Sequence, residues 1–245
     1  MKKLDDKISI NFDLSLLLSS IKDGKQKLVS FVNPFSYSLL LKSPEIIDEI
    51  DFFYSDGSLL QRLHNIFYPK SKVNRLSFDY SSIAGDVFDY AQRNKIKIAL
   101  VGGTSDEISK AKDNIKLCYS DLNITYFRSG YFNGISDKYE TFNIIEKSNA
   151  AILIVGMGTP IQERFLIEAK KNCPNVKLMF TCGGFLTQTA IRSDYYHPLV
   201  KKLGFRWLQR VILHKHVRQR MVKDYPKFFF TYLYEHMVMM LSRKS

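Results

Sequence analysis

Acidic residues, cysteines and long apolar runs are all scarce in this chain, and each scarcity removes a class of protein. Only 24 Asp and Glu stand against 36 Lys and Arg, so the formal charge is +12 over 245 residues. A field of that sign attracts an anionic partner, whether nucleic acid, an acidic membrane surface or a phosphorylated substrate. The three cysteines, Cys118, Cys173 and Cys182, are widely spaced, with neither a CxxC pair nor a His-rich metal spacing. That argues against a disulfide framework or a metal site and fits a reducing cytoplasm. Cys182 stands beside glycines but reads as a small buried hydrophobe. In the opening MKKLDDKISINFDLSLLLSS, Asp5 and Asp6 follow the lysines directly and apolar runs stay short. Neither a signal peptide nor a transmembrane span is expected, and any membrane contact is peripheral. Neither G-x-G-x-x-G nor G-x-x-x-x-G-K-[ST] occurs, which leaves a dinucleotide fingerprint and a P-loop unsupported.

What is present is an ordinary globular composition, 45% hydrophobic and 24% charged, sufficient for one substantial core. Short runs rich in β-branched and aromatic residues predict strands at Leu28 to Val32, Ile50 to Tyr54, Ile96 to Val101, Ile124 to Phe127, Ala151 to Val155 and Leu178 to Cys182. Most are apolar on both faces. Helical patterns fall at Ser81 to Gln92, Asp106 to Tyr119, Tyr139 to Lys147 and Gln162 to Lys171. This alternation predicts an α/β fold, a doubly wound, mainly parallel sheet with helices on both faces. Ligands of such sheets bind beyond the carboxyl ends of the strands.

The residues at those ends are distinctive. Asn33 and Pro34 follow the first strand; Asp56 and Gly57 come just after the second; Gly102 and Gly103 follow the third; Arg128 and Gly130 the fourth; GMGTPIQE, containing Gly156, Gly158, Thr159, Pro160, Gln162 and Glu163, the fifth; and Gly183 and Gly184 the sixth. A single glycine of this kind serves a tight turn. Six such turns on one edge, opening onto helix N-termini, expose backbone N–H groups suited to a nucleotide diphosphate.

From about Tyr195 the character changes. Eight Lys or Arg and no acidic residue lie between Lys201 and Lys223. At helical spacing Arg206, Arg210, His214 and Arg218 form one stripe, with Phe205, Leu208, Val211 and Ile212 on the other side. Such a helix either packs on the core with a solvated basic face or meets anionic headgroups or a pyrophosphate. Residues 225–234 add six aromatics, suited to the headgroup level of a bilayer or to anchoring against the core. The expected organisation is a catalytic core over 1–194 and a basic, aromatic-rich appendage over 195–245.

The segments IVGMGTPIQE (154–163) and GFRWLQR (204–210) make the chain resemble the WecG/TagA/CpsF family of bacterial glycosyltransferases, and the match runs nearly its whole length. The pattern comprises Asn33, Asp56-Gly57, Gly102-Gly103, G-x-G-x-P-x-Q-E, Gly183-Gly184 and G-x-x-W-x-x-R in order. The resemblance implies a Rossmann-like core whose C-terminal appendage helps complete the site. It implies an inverting transfer from a UDP-sugar to a polyprenyl-diphosphate-linked sugar, with no metal or other cofactor, peripherally on the cytoplasmic face of the membrane. N-acetylmannosamine or its uronic acid leads as the sugar, with glucose, galactose and glucuronic acid as alternatives. Asp56 looks like the catalytic base, which suits a reaction that must deprotonate the acceptor hydroxyl; as a turn residue before Gly57 it has a purely structural alternative. Gln162 looks like a substrate contact, and Glu163 either joins it or serves the helix N-terminus. Arg210 and Arg220 match the family's tail arginines, and Arg218 does so with a one-residue shift; with Arg206 they are candidates for diphosphate or membrane contact. Phe31 and Thr187 depart from the family pattern near the expected pocket, and His214-Lys215 replaces an acidic-Pro pair. Homo-oligomerisation is left open.

Other readings explain less. A nucleic-acid-binding module accounts for the charge but not for the strand-end glycines and Asp56. A nicotinamide oxidoreductase lacks its glycine fingerprint. An inactive relative remains compatible with Phe31 and Thr187.

Overall fold

The computed structural model describes residues 1–191 and 215–242. Its six strands are β1 (Lys27–Val32), β2 (Phe52–Ser55), β3 (Lys97–Gly102), β4 (Asn123–Arg128), β5 (Ile152–Gly156) and β6 (Leu178–Thr181). All predicted strands are present within about two residues of their expected bounds. They form one sheet in the order β2-β1-β6-β5-β3-β4, every pair parallel.

Side chains alternate across the sheet with period two, and the two faces build separate cores. Leu28, Val32, Ala99, Val101, Leu153, Val155 and Met179 face one layer of helices. Val29, Phe31, Ile98, Leu100, Ile152, Ile154, Leu178 and Phe180 face the other. Double-sided burial is why the central strands read as unbroken apolar runs. β4 has a neighbour on one side only and is correspondingly half exposed.

The helices are α1 (Lys2–Lys7), α2 (Leu14–Asp23), α3 (Pro34–Leu40), α4 (Pro44–Glu49), α5 (Ser58–Phe67), α6 (Ala84–Arg93), α7 (Ser105–Cys118), α8 (Ile135–Lys147), α9 (Ile161–Asn172), α10 (Phe185–Ile191) and α11 (Lys215–Ser242). Two begin at the strand ends under side-chain caps. Asn33 Oδ1 accepts from the N–H groups of Phe35 and Ser36, each at 3.0 Å, and Pro34 supplies the first helical residue of α3. Thr104 and Glu107 cap α7 reciprocally.

The C-terminal helix α11 is fastened to the first core layer by residues spaced four apart. Phe228, Tyr232 and His236 are buried, with Phe228 and Tyr232 at 5.3 and 5.6 Å from Tyr37 of α3 and His236 at 4.7 Å from Phe67 of α5, between ring centroids. Beneath them lies Asp5 of α1, wholly enclosed. Its Oδ1 accepts from Tyr37 at 2.9 Å and Tyr232 at 3.0 Å, and its Oδ2 is 3.1 Å from His236 Nε2. Of the six aromatics in 225–234, two therefore serve the core, while Phe230 and Tyr234 remain exposed. Arg206, Arg210 and His214 lie outside the described residues, as does the side chain of Arg220; Arg218 is exposed.

Candidate active site

The carboxyl ends of the strands converge on a cavity of about 690 Å³, within the size range of small-molecule sites. Nine of the predicted residues border it: Asn33, Asp56, Gly103, Gly156, Gly158, Thr159, Gln162, Gly183 and Gly184. Phe31 and Thr187 border it too, so both departures from the family pattern lie at the pocket. Gly57, Gly102, Pro160 and Glu163 do not line it. Gly102 sits behind the wall, where a Cβ would lie 2.5 Å from the Gly156 carbonyl oxygen; its role is the close approach of β3 to β5. Gly158 and Gly183, at φ +76° and +53°, adopt a left-handed backbone with open space where a Cβ would be. The peptide joining Thr159 to Pro160 is cis.

Asp56 is placed by β2, its N–H donating to the Val32 carbonyl at 2.7 Å. Its Oδ1 lies 3.5 Å from Arg75 Nη2, and the same nitrogen donates to Ser77 Oγ at 3.1 Å and stands 3.7 Å from Asp79 Oδ2. Burial by itself would raise the Asp79 carboxyl, but hydrogen bonds from Ser81 and Ser77, with the Arg75 charge, outweigh it and hold the group below the usual carboxylate range. Arg75 thus spans two carboxylates at the cavity. Neither Arg75 nor Asp79 was among the predicted residues. They come from an irregular stretch running beside the end of β2, where Leu76 N donates to the Ser55 carbonyl at 2.8 Å, and no periodicity advertises it.

On the opposite side, Gln162 is almost wholly covered and held at both ends. Its Nε2 donates to Glu163 Oε1 at 3.0 Å and Thr159 Oγ1 at 3.3 Å, and its Oε1 accepts from Gly183 N at 3.2 Å. Glu163 Oε1 also accepts from Ser30 Oγ at 2.9 Å and Thr159 Oγ1 at 3.0 Å. Of the two places expected for it, beside the substrate or at the helix N-terminus, Glu163 takes the second, in the first turn of α9 and behind the cavity lining with no exposure. Burial pushes its carboxyl above the usual range, against the opposing pull of its hydrogen bonds from Gln162, Ser30 and Thr159. Cys182 borders the cavity, and burial drives its thiol far above the ordinary range, in keeping with an inert filler. Among the described residues no group of three His, Cys, Asp or Glu converges as metal ligands would. Tyr225 of α11, in the C-terminal appendage, also borders the cavity.

The arrangement offers a carboxylate with an arginine beside it and glycine turns at one mouth, features that group transfer from a phosphorylated donor can use. A glycosyl transferase model for the WecG/TagA/CpsF family matches residues 6–240. The chain is 44% identical over 218 residues to a UDP-Gal:alpha-D-GlcNAc-diphosphoundecaprenol beta-1,4-galactosyltransferase of Shigella boydii, a match covering 89% of this chain and 90% of the relative. The chain belongs to the WecG/TagA/CpsF family of glycosyl transferases.

Proposed function

We propose that this enzyme moves a hexose from a UDP-sugar to a sugar carried on polyprenyl diphosphate, with inversion. The observation that carries the reading is Asp56, a strand-end carboxylate bordering a cavity whose other edge is made of glycine turns. In the proposed step Asp56 takes the proton of the acceptor hydroxyl as that oxygen bonds to the anomeric carbon. The bond from that carbon to the UDP oxygen breaks, and UDP leaves with the electron pair. Arg75 orients the base. The diphosphate lies against the backbone N–H groups of the Gly156–Gly158 turn and of Gly184, with its added charge met by arginines of the tail (Arg206, Arg210, Arg218 and Arg220) rather than by a metal. Galactose heads the donor sugars, because the Shigella boydii relative is named for it; N-acetylmannosamine follows from the family motif.

For the site of action we propose the inner membrane surface, reached peripherally. Among the described residues no helix is long and apolar enough to cross a membrane. The side of α11 turned from the core carries Phe230, Tyr234, Val238 and Leu241, all exposed, a surface suited to headgroup-level contact.

The test is UDP release from a panel led by UDP-galactose and UDP-N-acetylmannosamine, with and without prenyl-diphosphate-linked N-acetylglucosamine, repeated with chelator. Acceptor-dependent release that survives chelation is expected, and Asp56→Asn should lower it about 100-fold or more while UDP still binds. Normal turnover in that variant would remove Asp56 from the mechanism, and loss of activity with chelator would restore a metal to it.

A further inference from the structure

We propose that Glu163 makes the Thr159–Gln162–Thr181 part of the cavity wall a surface of hydrogen-bond acceptors only, and that this surface seats the hydroxyl groups of the donor hexose. The inference rests on the transferase reading but concerns recognition of the sugar.

Every proton of these three side chains is spent within the cluster around Glu163. Thr181 Oγ1 donates to Ser30 Oγ at 3.1 Å, and Ser30 donates onward to Glu163 Oε1 at 2.9 Å. Thr159 donates to the same oxygen at 3.0 Å. The two Nε2 protons of Gln162 go to Glu163 at 3.0 Å and to Thr159 at 3.3 Å. The amide cannot be turned over, because the backbone N–H of Gly183, which only donates, meets Oε1 at 3.2 Å. All three residues border the cavity while Glu163 lies behind them. What they have left to offer is lone pairs.

A surface of lone pairs repels phosphate oxygens and accepts from hydroxyl or amide N–H groups. The turns at Gly158 and Gly184, which present backbone N–H groups, adjoin it along the chain. A diphosphate at those turns places the attached sugar against Thr159, Gln162 and Thr181, so each half of the donor meets groups of the matching kind. Glu163 is the positioning residue for this division: it touches no substrate, and its oxygen sets which way three neighbours point their protons. Its raised carboxyl supports the arrangement, since a neutral acid keeps an accepting carbonyl oxygen at the hub.

The test compares binding of UDP and of the UDP-hexose that the wild type prefers, by calorimetry, in wild type, Glu163→Met, Glu163→Gln and Thr181→Val. Glu163→Met removes the acceptor at nearly constant volume and should weaken UDP-hexose about tenfold or more, leaving UDP within about twofold. Glu163→Gln retains an accepting carbonyl and should recover most of the loss. Thr181→Val should repeat the selective loss more weakly, and decides the matter should Glu163→Met not fold. Equal weakening of UDP and UDP-hexose, or no selective loss in either substitution, overturns the proposal, as does a wild type that binds UDP-hexose no better than UDP. Selective loss of sugar binding in a protein that transfers nothing to any lipid-linked acceptor would sink the transferase reading and leave this one standing.

Discussion

Glu163 is a buried acid with three donors on one oxygen and no partner for Oε2. Its folded carboxyl titrates above the ordinary range. A group shifted in that direction stabilises the fold fully below its unfolded pKa, and that contribution is lost as pH rises through the folded value. No charged group contacts it: its partners are Ser30, Thr159 and Gln162. The melting temperature of wild type relative to Glu163→Gln, measured across a series from pH 4 upward, should therefore fall as pH rises. A flat difference would mean that the carboxyl titrates alike in the folded and the unfolded chain. Glu163 also marks where the sequence stops being informative about individual residues. The glycine-bearing turns announce where the pocket is, but whether the Glu of Gln162-Glu163 points into it or beneath it depends on packing against Ser30, a residue 133 positions away. Asp79 and Tyr225, which border the cavity, and Arg75 behind Asp56 were illegible for the same reason, each coming from a segment that carries no strand-end signature.

At the scale of elements, legibility followed periodicity. The strands were readable because their burial on both faces gives continuous apolar runs, and α6, α7 and α9 because their patterns persist over ten or more residues. The short helices α1, α3 and α4, of six or seven residues, hold too few turns to display a face. In α11 the residues buried among those described, Phe228, Tyr232 and His236, are separated by exposed aromatics that look equivalent in sequence. The structure distinguishes them energetically. Phe228→Ala should cost about 3–5 kcal/mol, the range for emptying an aromatic site in a core, whereas Phe230→Ala should stay within about 0.5 kcal/mol. Chemical denaturation of both variants checks this, and equal effects would mean that α11 does not dock as described.

Taken whole, the molecule pairs a +12 charge with one sheet edge at which the cavity and Tyr225 of α11 meet. Exposed charges act through solvent and are screened over about 8 Å at physiological salt. Sedimentation with anionic vesicles should therefore weaken steeply between about 0.05 and 0.5 M salt, and neutral vesicles should bind little. Salt-insensitive binding would assign the contact to Phe230, Tyr234 and their apolar neighbours instead. The parallel order of the sheet and the two-layered core followed directly from the alternation of strand and helix patterns; the joining of the two chain ends did not, since nothing local in either end names the other.

That joining bears on how the protein is made. Asp5 and His236 are 231 residues apart in sequence, and at translation rates of about 5–20 residues per second the first waits roughly 10–50 s for the second. During that interval Asp5 has Tyr37 but neither Tyr232 nor His236, and the cavity lacks Tyr225. Contacts of Asp5, among the first residues made, are therefore among the last that the chain can complete.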